Sequence, residues 1–192
     1  MDTVQTESIG TIAQVIQDFI SDIPSSSESL SADPLARCNS LRKRAAYKAA
    51  LVSGSLSLPP GPFGMLTIIP DLLAVWKIQA QLVADIAAAF GKTATLTREQ
   101  MLYCLFRHLA SHVVRDLAVR VGEKILVRRA SLRLLQQLLK KIGVIVTQRI
   151  AGRFVARWIP VLGALGVGAY AFYDTTQVGD TAIELFQQNE TE

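Results

Sequence analysis

Lysine and arginine are missing from the first 36 residues, where six aspartates and glutamates stand alone. Cysteine is scarce: Cys38 and Cys104 are the only two in 192 residues, which excludes a disulfide framework and a four-cysteine zinc site. Twelve glycines and seven prolines are too few for a collagen-like or linker-like chain. Charged residues reach only 19% against 50% hydrophobic, so disorder along the whole length is excluded as well. Period-two alternation is absent, as are hairpin dipeptides flanked by β-branched runs. So are a Walker phosphate loop, a dinucleotide fingerprint and a nucleophile elbow; Ser53-Gly54-Ser55 and Gly61-Pro62-Phe63-Gly64 do not match the last of these. No catalytic signature is found, no cofactor is implied, and the length fits one domain or two small ones.

What is present is a strong charge asymmetry behind a net charge of +4. After the acidic start, residues 37–106 hold eight basic and three acidic groups, and residues 107–157 hold twelve basic groups against Asp116 and Glu123. Residues 158–192 carry five acids and no base. A basic middle between acidic ends fits either neutralisation within the molecule or an anionic partner. No secretory leader, myristoylation site or prenylation box is read in the chain, so a cytoplasmic protein is expected.

The longest uncharged runs do not read as membrane spans. As a helix, residues 158–173 would reach roughly 24 Å, short of a hydrocarbon core of roughly 30 Å. Pro160, Gly163, Gly166 and Gly168 weaken that run further, so a buried or re-entrant segment is expected there. Residues 49–70 contain Pro59, Pro60, Pro62 and Pro70 and cannot form one helix. Gly163, Gly166 and Gly168, with Ala164, Ala169 and Ala171, permit close backbone contact, either inside a bundle or within lipid.

The apolar spacing is helical throughout. Ile9, Ile12, Ile16, Phe19, Ile20 and Ile23 mark an amphipathic first helix that Pro24 and the serines of residues 25–31 break. Asp33-Pro34 starts a second helix to about residue 56, with Arg42, Lys43, Arg44 and Lys48 on its outer side. A Pro-Gly loop at 58–64 precedes a long helix ending at Gly91. Lys77, Gln81 and Asp85 form its one narrow polar stripe, so this is the central, largely buried helix. Thr97 and Gln100 form a capping box opening a helix to about residue 121. Further helices reach about 142 and 158, followed by the glycine-rich apolar segment and a final helix ending near residue 188. The expected fold is all-α, a compact multi-helix bundle. Residues 1–33 would be an acidic N-terminal helix and Ser-rich linker, and residues 34–192 the main helical domain.

Three constellations bear on function. Cys104, His108, His112 and Asp116 recur every fourth residue and could chelate zinc, but no second ligand-bearing element accompanies them, so they stay weak candidates and no metal is expected. Asp71 lies beside Pro70 in apolar surroundings; the helix dipole accounts for it, and a specific polar role is the other reading. Arg120, Lys124 and Arg128 recur at four, as do Arg149, Arg153 and Arg157, beside the apolar row Ile142, Val146, Ile150 and Phe154, with Trp158 closing it. Arginines beside an apolar row that ends in tryptophan suit a helix lying at a headgroup boundary. Phe63, Met65, Phe154, Trp158, Leu162 and Tyr170 are the expected apolar contacts with membrane or lipid. No helix-turn-helix or stacking platform is visible, so nucleic acid is not expected as the anion.

The run Gly61-Pro62-Phe63-Gly64-Met65-Leu66-Thr67-Ile68-Ile69-Pro70-Asp71-Leu72, leading through an alanine-rich helix to Phe90-Gly91, resembles the EcsC family. So do Pro160-Val161-Leu162-Gly163-Ala164, Tyr173-Asp174, Val178-Gly179, Ala182 and Phe186. The likeness covers roughly residues 35–188 and leaves the acidic first helix outside. Prolines in the 58–64 loop stand where the family would be expected to have more glycine. The resemblance implies a bacterial-type, membrane-associated helical protein, linked by name to an ABC-transporter operon, and carries no active-site residues over. Together these readings predict a non-enzymatic protein on the cytoplasmic face of the inner membrane, bound to anionic phospholipid. A helical adaptor docked on a membrane protein such as an ABC transporter is the alternative, and a metal-dependent or hydrolytic enzyme comes last.

Overall fold

The computed structural model describes residues 19, 22–56, 68–108, 144 and 160–188, the side chains of 68, 69 and 160–164 excepted. Four α-helices and one 3-10 turn appear among them, with no strand. Helix α1 is Pro34–Leu56, α2 is Ile68–Ala89, α3 is Arg98–Phe106 and α4 is Pro160–Gln188; the 3-10 turn is Thr93–Thr95. The chain divides into two compact units, Pro24–Leu96 with Gly152–Glu192, and Met1–Ile23 with Thr97–Ala151. The 33/34 boundary expected from the sequence falls inside the first of these.

That first unit is a bundle of α1, α2 and α4, all-α as the sequence predicts. Helix α1 starts where expected because the Asp33 carboxylate accepts the Ala36 N–H at 3.0 Å. Helix α2 ends in a Schellman turn: Lys92 N–H donates to Ala87 O at 2.7 Å and Gly91 N–H to Ala88 O at 2.8 Å. Gly91 takes a φ of 69° to allow it, a conformation in which a side chain is strained. Helix α2 is the most buried of the three helices of this unit, each of which packs on the other two. Val75, Trp76, Leu82, Val83, Ile86 and Phe90 are buried, while Lys77 is exposed and Gln81 and Asp85 are half-buried. The stretch Pro70–Ala89, with a mean hydropathy of 1.4, is long and apolar enough to cross a bilayer by length and composition, and most of it is buried inside the protein.

The serine-rich stretch is bonded to α2. Ser26 Oγ donates to Asp85 Oδ1 at 2.6 Å, Gln81 Nε2 to Ser25 O at 3.0 Å, and Ser31 N–H to Ala89 O at 3.1 Å. Segment 25–31 thus ties down the C-terminal half of α2.

Helix α4 differs from the expectation of a glycine-rich segment followed by a separate final helix. It is one element of 29 residues. An internal glycine costs a helix about 1 kcal/mol against alanine, a cost offset here by packing. A Cβ on Gly168 would stand 3.0 Å from Ala50 O, and one on Gly179 would stand 2.6 Å from Arg42 Cγ, so both glycines let α1 approach closely. Gly166, by contrast, faces open space. Nor is the segment simply buried: Val167, Gly168 and Ala171 are inside, while Leu165, Gly166, Ala169 and Tyr173 are exposed. Arg42 lies opposite α4, Tyr47 touches Phe172 and Ala50 faces Gly168, so α1 and α4 run antiparallel. Lys92 Nζ reaches Phe186 O at 2.8 Å and Gln79 reaches Asp174, so α2 and α4 run parallel. Ala49, Val75 and Ala171 meet at the centre with Ile78 beside them.

In the second unit, α3 opens on the predicted capping box. Thr97 N–H donates to Gln100 Oε1 at 2.9 Å and Gln100 N–H to Thr97 Oγ1 at 3.2 Å. Met101, Leu102, Cys104, Leu105 and Phe106 are buried. The Arg107 guanidinium lies 5.4 Å from the Tyr103 ring centroid.

Candidate functional site

Helix α1 has five basic residues and no acid. Two of the five are neutralised. Arg37 grips Glu28 with two bonds, Nε to Oε2 at 2.9 Å and Nη2 to Oε1 at 2.6 Å, and that bidentate grip holds the Glu28 carboxyl below its ordinary pKa. Arg42, expected on the outer side, instead lies half-buried across Gly179 and pairs with Asp180. The reason is steric: a side-chain-free position on α4 leaves a channel that the arginine stem fills. Lys43, Arg44 and Lys48 are exposed, and none makes an ion pair among the described residues.

Beside those cations lies an apolar stripe on each of two helices. Tyr47 and Leu51, four residues apart on α1, are 63% and 72% exposed. Leu165 and Tyr173, two turns apart on α4 with exposed Ala169 between them, are 67% and 60% exposed. The Tyr47 and Phe172 rings meet edge to face, with centroids 5.1 Å apart, and join the two stripes across the α1–α4 seam. On the other side of α4, Asp174 and Thr175 face α2, so this apolar strip looks away from it. The sequence reading missed the strip. Its signal was available as the fourfold spacing of Lys43, Tyr47, Leu51 and Ser55 and of Leu165, Ala169 and Tyr173.

The interior of the same unit holds an unforeseen polar network. Gln79 Nε2 donates to Asp174 Oδ2 at 2.9 Å and to Thr175 Oγ1 at 3.2 Å, with all three residues buried. Tyr170 Oη donates to Asp174 Oδ1 at 3.1 Å, so this residue, expected as an apolar lipid contact, is half-buried with its hydroxyl on a carboxylate. Asp71 is wholly buried near the N-terminus of α2, an expensive place for a carboxylate. Ser53 is equally buried, and its Oγ has no hydrogen-bond partner among the described residues.

Cys104 is fully buried, which pushes its thiol pKa far above the ordinary value; His108 is half-buried. Among the described residues no three His, Cys, Asp or Glu side chains converge as metal ligands. His112, Asp116, Phe63, Met65, Arg120, Lys124, Arg128, Arg149, Arg153, Phe154, Arg157 and Trp158 lie outside the described residues, as does the side chain of Leu162.

A model of the EcsC protein family matches residues 3–188. The chain belongs to the EcsC family. The match begins near the first residue, so it takes in the acidic N-terminal stretch that the resemblance from sequence left outside. No curated protein and no solved structure matches this EcsC-family chain.

Proposed function

We propose that this EcsC-family protein is a non-enzymatic helical protein that binds peripherally to the cytoplasmic face of a membrane, its basic side chains on anionic lipid headgroups. The observation that supports this reading best is the unbalanced charge of α1, where Lys43, Arg44 and Lys48 stand exposed and unpaired among the described residues. The Arg/Lys-rich tract 107–157, with twelve bases against two acids, adds cations of the same sign. A Lys or Arg near an anionic bilayer is worth about 1 kcal/mol, so a handful acting together holds a protein on the surface.

Flotation of the whole protein with vesicles tests this. Recovery should be high with phosphatidylglycerol-containing vesicles, low with phosphatidylcholine alone, and should fall as salt screens the headgroups. Charge reversal at Arg149, Arg153 and Arg157 should weaken recovery, as should reversal at Lys43, Arg44 and Lys48. Equal recovery with neutral and anionic vesicles at low salt overturns the reading. Absence of vesicle binding with stoichiometric cross-linking to an integral membrane protein would favour the adaptor role instead.

A further inference from the structure

We infer that the α1–α4 outer face, with Tyr47, Leu51, Leu165 and Tyr173 at its centre, is the surface that this bundle inserts into the headgroup boundary of an anionic bilayer. The inference rests on the peripheral-membrane reading above and adds to it the orientation of the three-helix unit. The four side chains are large, at least 60% exposed and paired by helical spacing on two antiparallel helices joined at the Tyr47–Phe172 contact. Such exposed apolar side chains, gathered on one face rather than scattered, mark an interaction site. Two of the four are tyrosines, whose apolar ring and polar tip suit the level of the headgroups.

Charge selects the occupant. Lys43 and Arg44 precede Tyr47 by one turn and Lys48 follows it directly, all three exposed, so a bilayer meeting the tyrosine and leucines meets those cations too. Helix α1 offers it no carboxylate; on α4 Asp180 is already paired with Arg42, and exposed Glu184 lies about three turns beyond Tyr173, away from the three cations of α1 in sequence order along the antiparallel seam. A second copy of the chain docked symmetrically on this face would add three further cations to an interface that already holds three, which disfavours self-association. An anionic sheet satisfies both the cations and the apolar strip.

The test uses the full chain, phosphatidylglycerol/phosphatidylcholine vesicles and the variant Leu51→Ser/Leu165→Ser. Both positions are exposed, so the variant should keep the wild-type melting temperature, and its vesicle partition should fall by about tenfold or more. As a second readout, Leu51→Cys carrying an environment-sensitive dye should shift its emission to the blue when those vesicles are added. Unchanged partition of the double variant together with an unshifted dye, while the wild type still floats with anionic vesicles, overturns the assignment of this face and leaves the peripheral-membrane reading standing. Failure of the wild type to float overturns both. A lipid-free dimer that Leu51→Ser/Leu165→Ser converts to monomer would give the face to a second copy and overturn the inference as well.

Discussion

Arg42 lies along Gly179 so closely that a Cβ there would come within 2.6 Å of Arg42 Cγ and 3.2 Å of its Cβ. The contact joins α1 to α4 at the end of the seam where Asp180 receives the guanidinium. Since Arg42 Cβ is anchored to its backbone, the stem cannot simply swing clear. Gly179→Ala should therefore destabilise the bundle, and Gly168→Ala, which would press on Ala50 O at 3.0 Å, should do likewise by about 1–3 kcal/mol. Gly166→Ala meets nothing within 4 Å and should stabilise by about 0.5–1 kcal/mol through helix propensity. Urea unfolding of the three variants should give midpoints below, below and above wild type; a uniform rise would show that α4 does not pack on α1 through these glycines.

The buried network predicts non-additivity. Gln79→Leu removes a donor from a carboxylate that is only 7% exposed and should cost about 1–3 kcal/mol. Asp174→Leu leaves the Gln79 amide with Thr175 Oγ1 alone. The double variant should cost clearly less than the two singles summed, because the Gln79–Asp174 bond is lost only once, while the partners that Tyr170 Oη and Thr175 Oγ1 lose are already counted in the singles. Denaturant midpoints for the three proteins measure this, and simple additivity would mean that the two groups do not depend on each other.

Acid should loosen the serine-rich stretch first. The Glu28 pKa is lowered from 4.5, chiefly by its hydrogen bonds to Arg37. A lowered folded-state value means the contribution is fully present above the unfolded value of 4.5 and is lost as pH falls through the lower folded one. Amide exchange of residues 25–31, corrected for intrinsic rates, should accelerate in that acid window in the wild type. In Arg37→Ala the exchange should already be faster at neutral pH and change little on acidification. Both groups are half-buried at the surface and the pair is modest, so the effect should stay local rather than shift global unfolding.

Neither thiol should react in the native protein. Burial raises the Cys38 pKa to about 11 and drives that of Cys104 up further, so almost no thiolate exists near neutral pH. A thiol-disulfide reagent should label neither cysteine until urea is added, then both. Rapid native labelling of Cys104 would contradict its burial.

Helix starts and stops were legible in the sequence because they depend on groups a few residues apart. Asp33 reaches an N–H three residues on, Thr97 and Gln100 satisfy each other, and Gly91 turns the chain after α2. The apolar arc of α2 likewise announced a buried helix. The continuation of α4 through its glycines was not legible, since propensity alone counts each glycine as a weakness and only the facing backbone of α1 repays it. Gln79 was hidden for a related reason: an amide within an apolar arc has no local sign of the carboxylate that receives it.

By itself, then, the sequence determined an all-α chain, the local limits of α1, the capping box of α3 and the end of α2, together with a charge map of basic middle and acidic ends. Tertiary structure decided which of those charges face water. Arg42 is cancelled by an acid 138 residues away and Gln79 is satisfied 95 residues away, whereas Lys43, Arg44 and Lys48 are left outside beside Tyr47 and Leu51. Helical caps close within one turn, so sequence suffices for them; the burial of a charge or a ring depends on which distant helix lies over it, and that is set only when the helices pack.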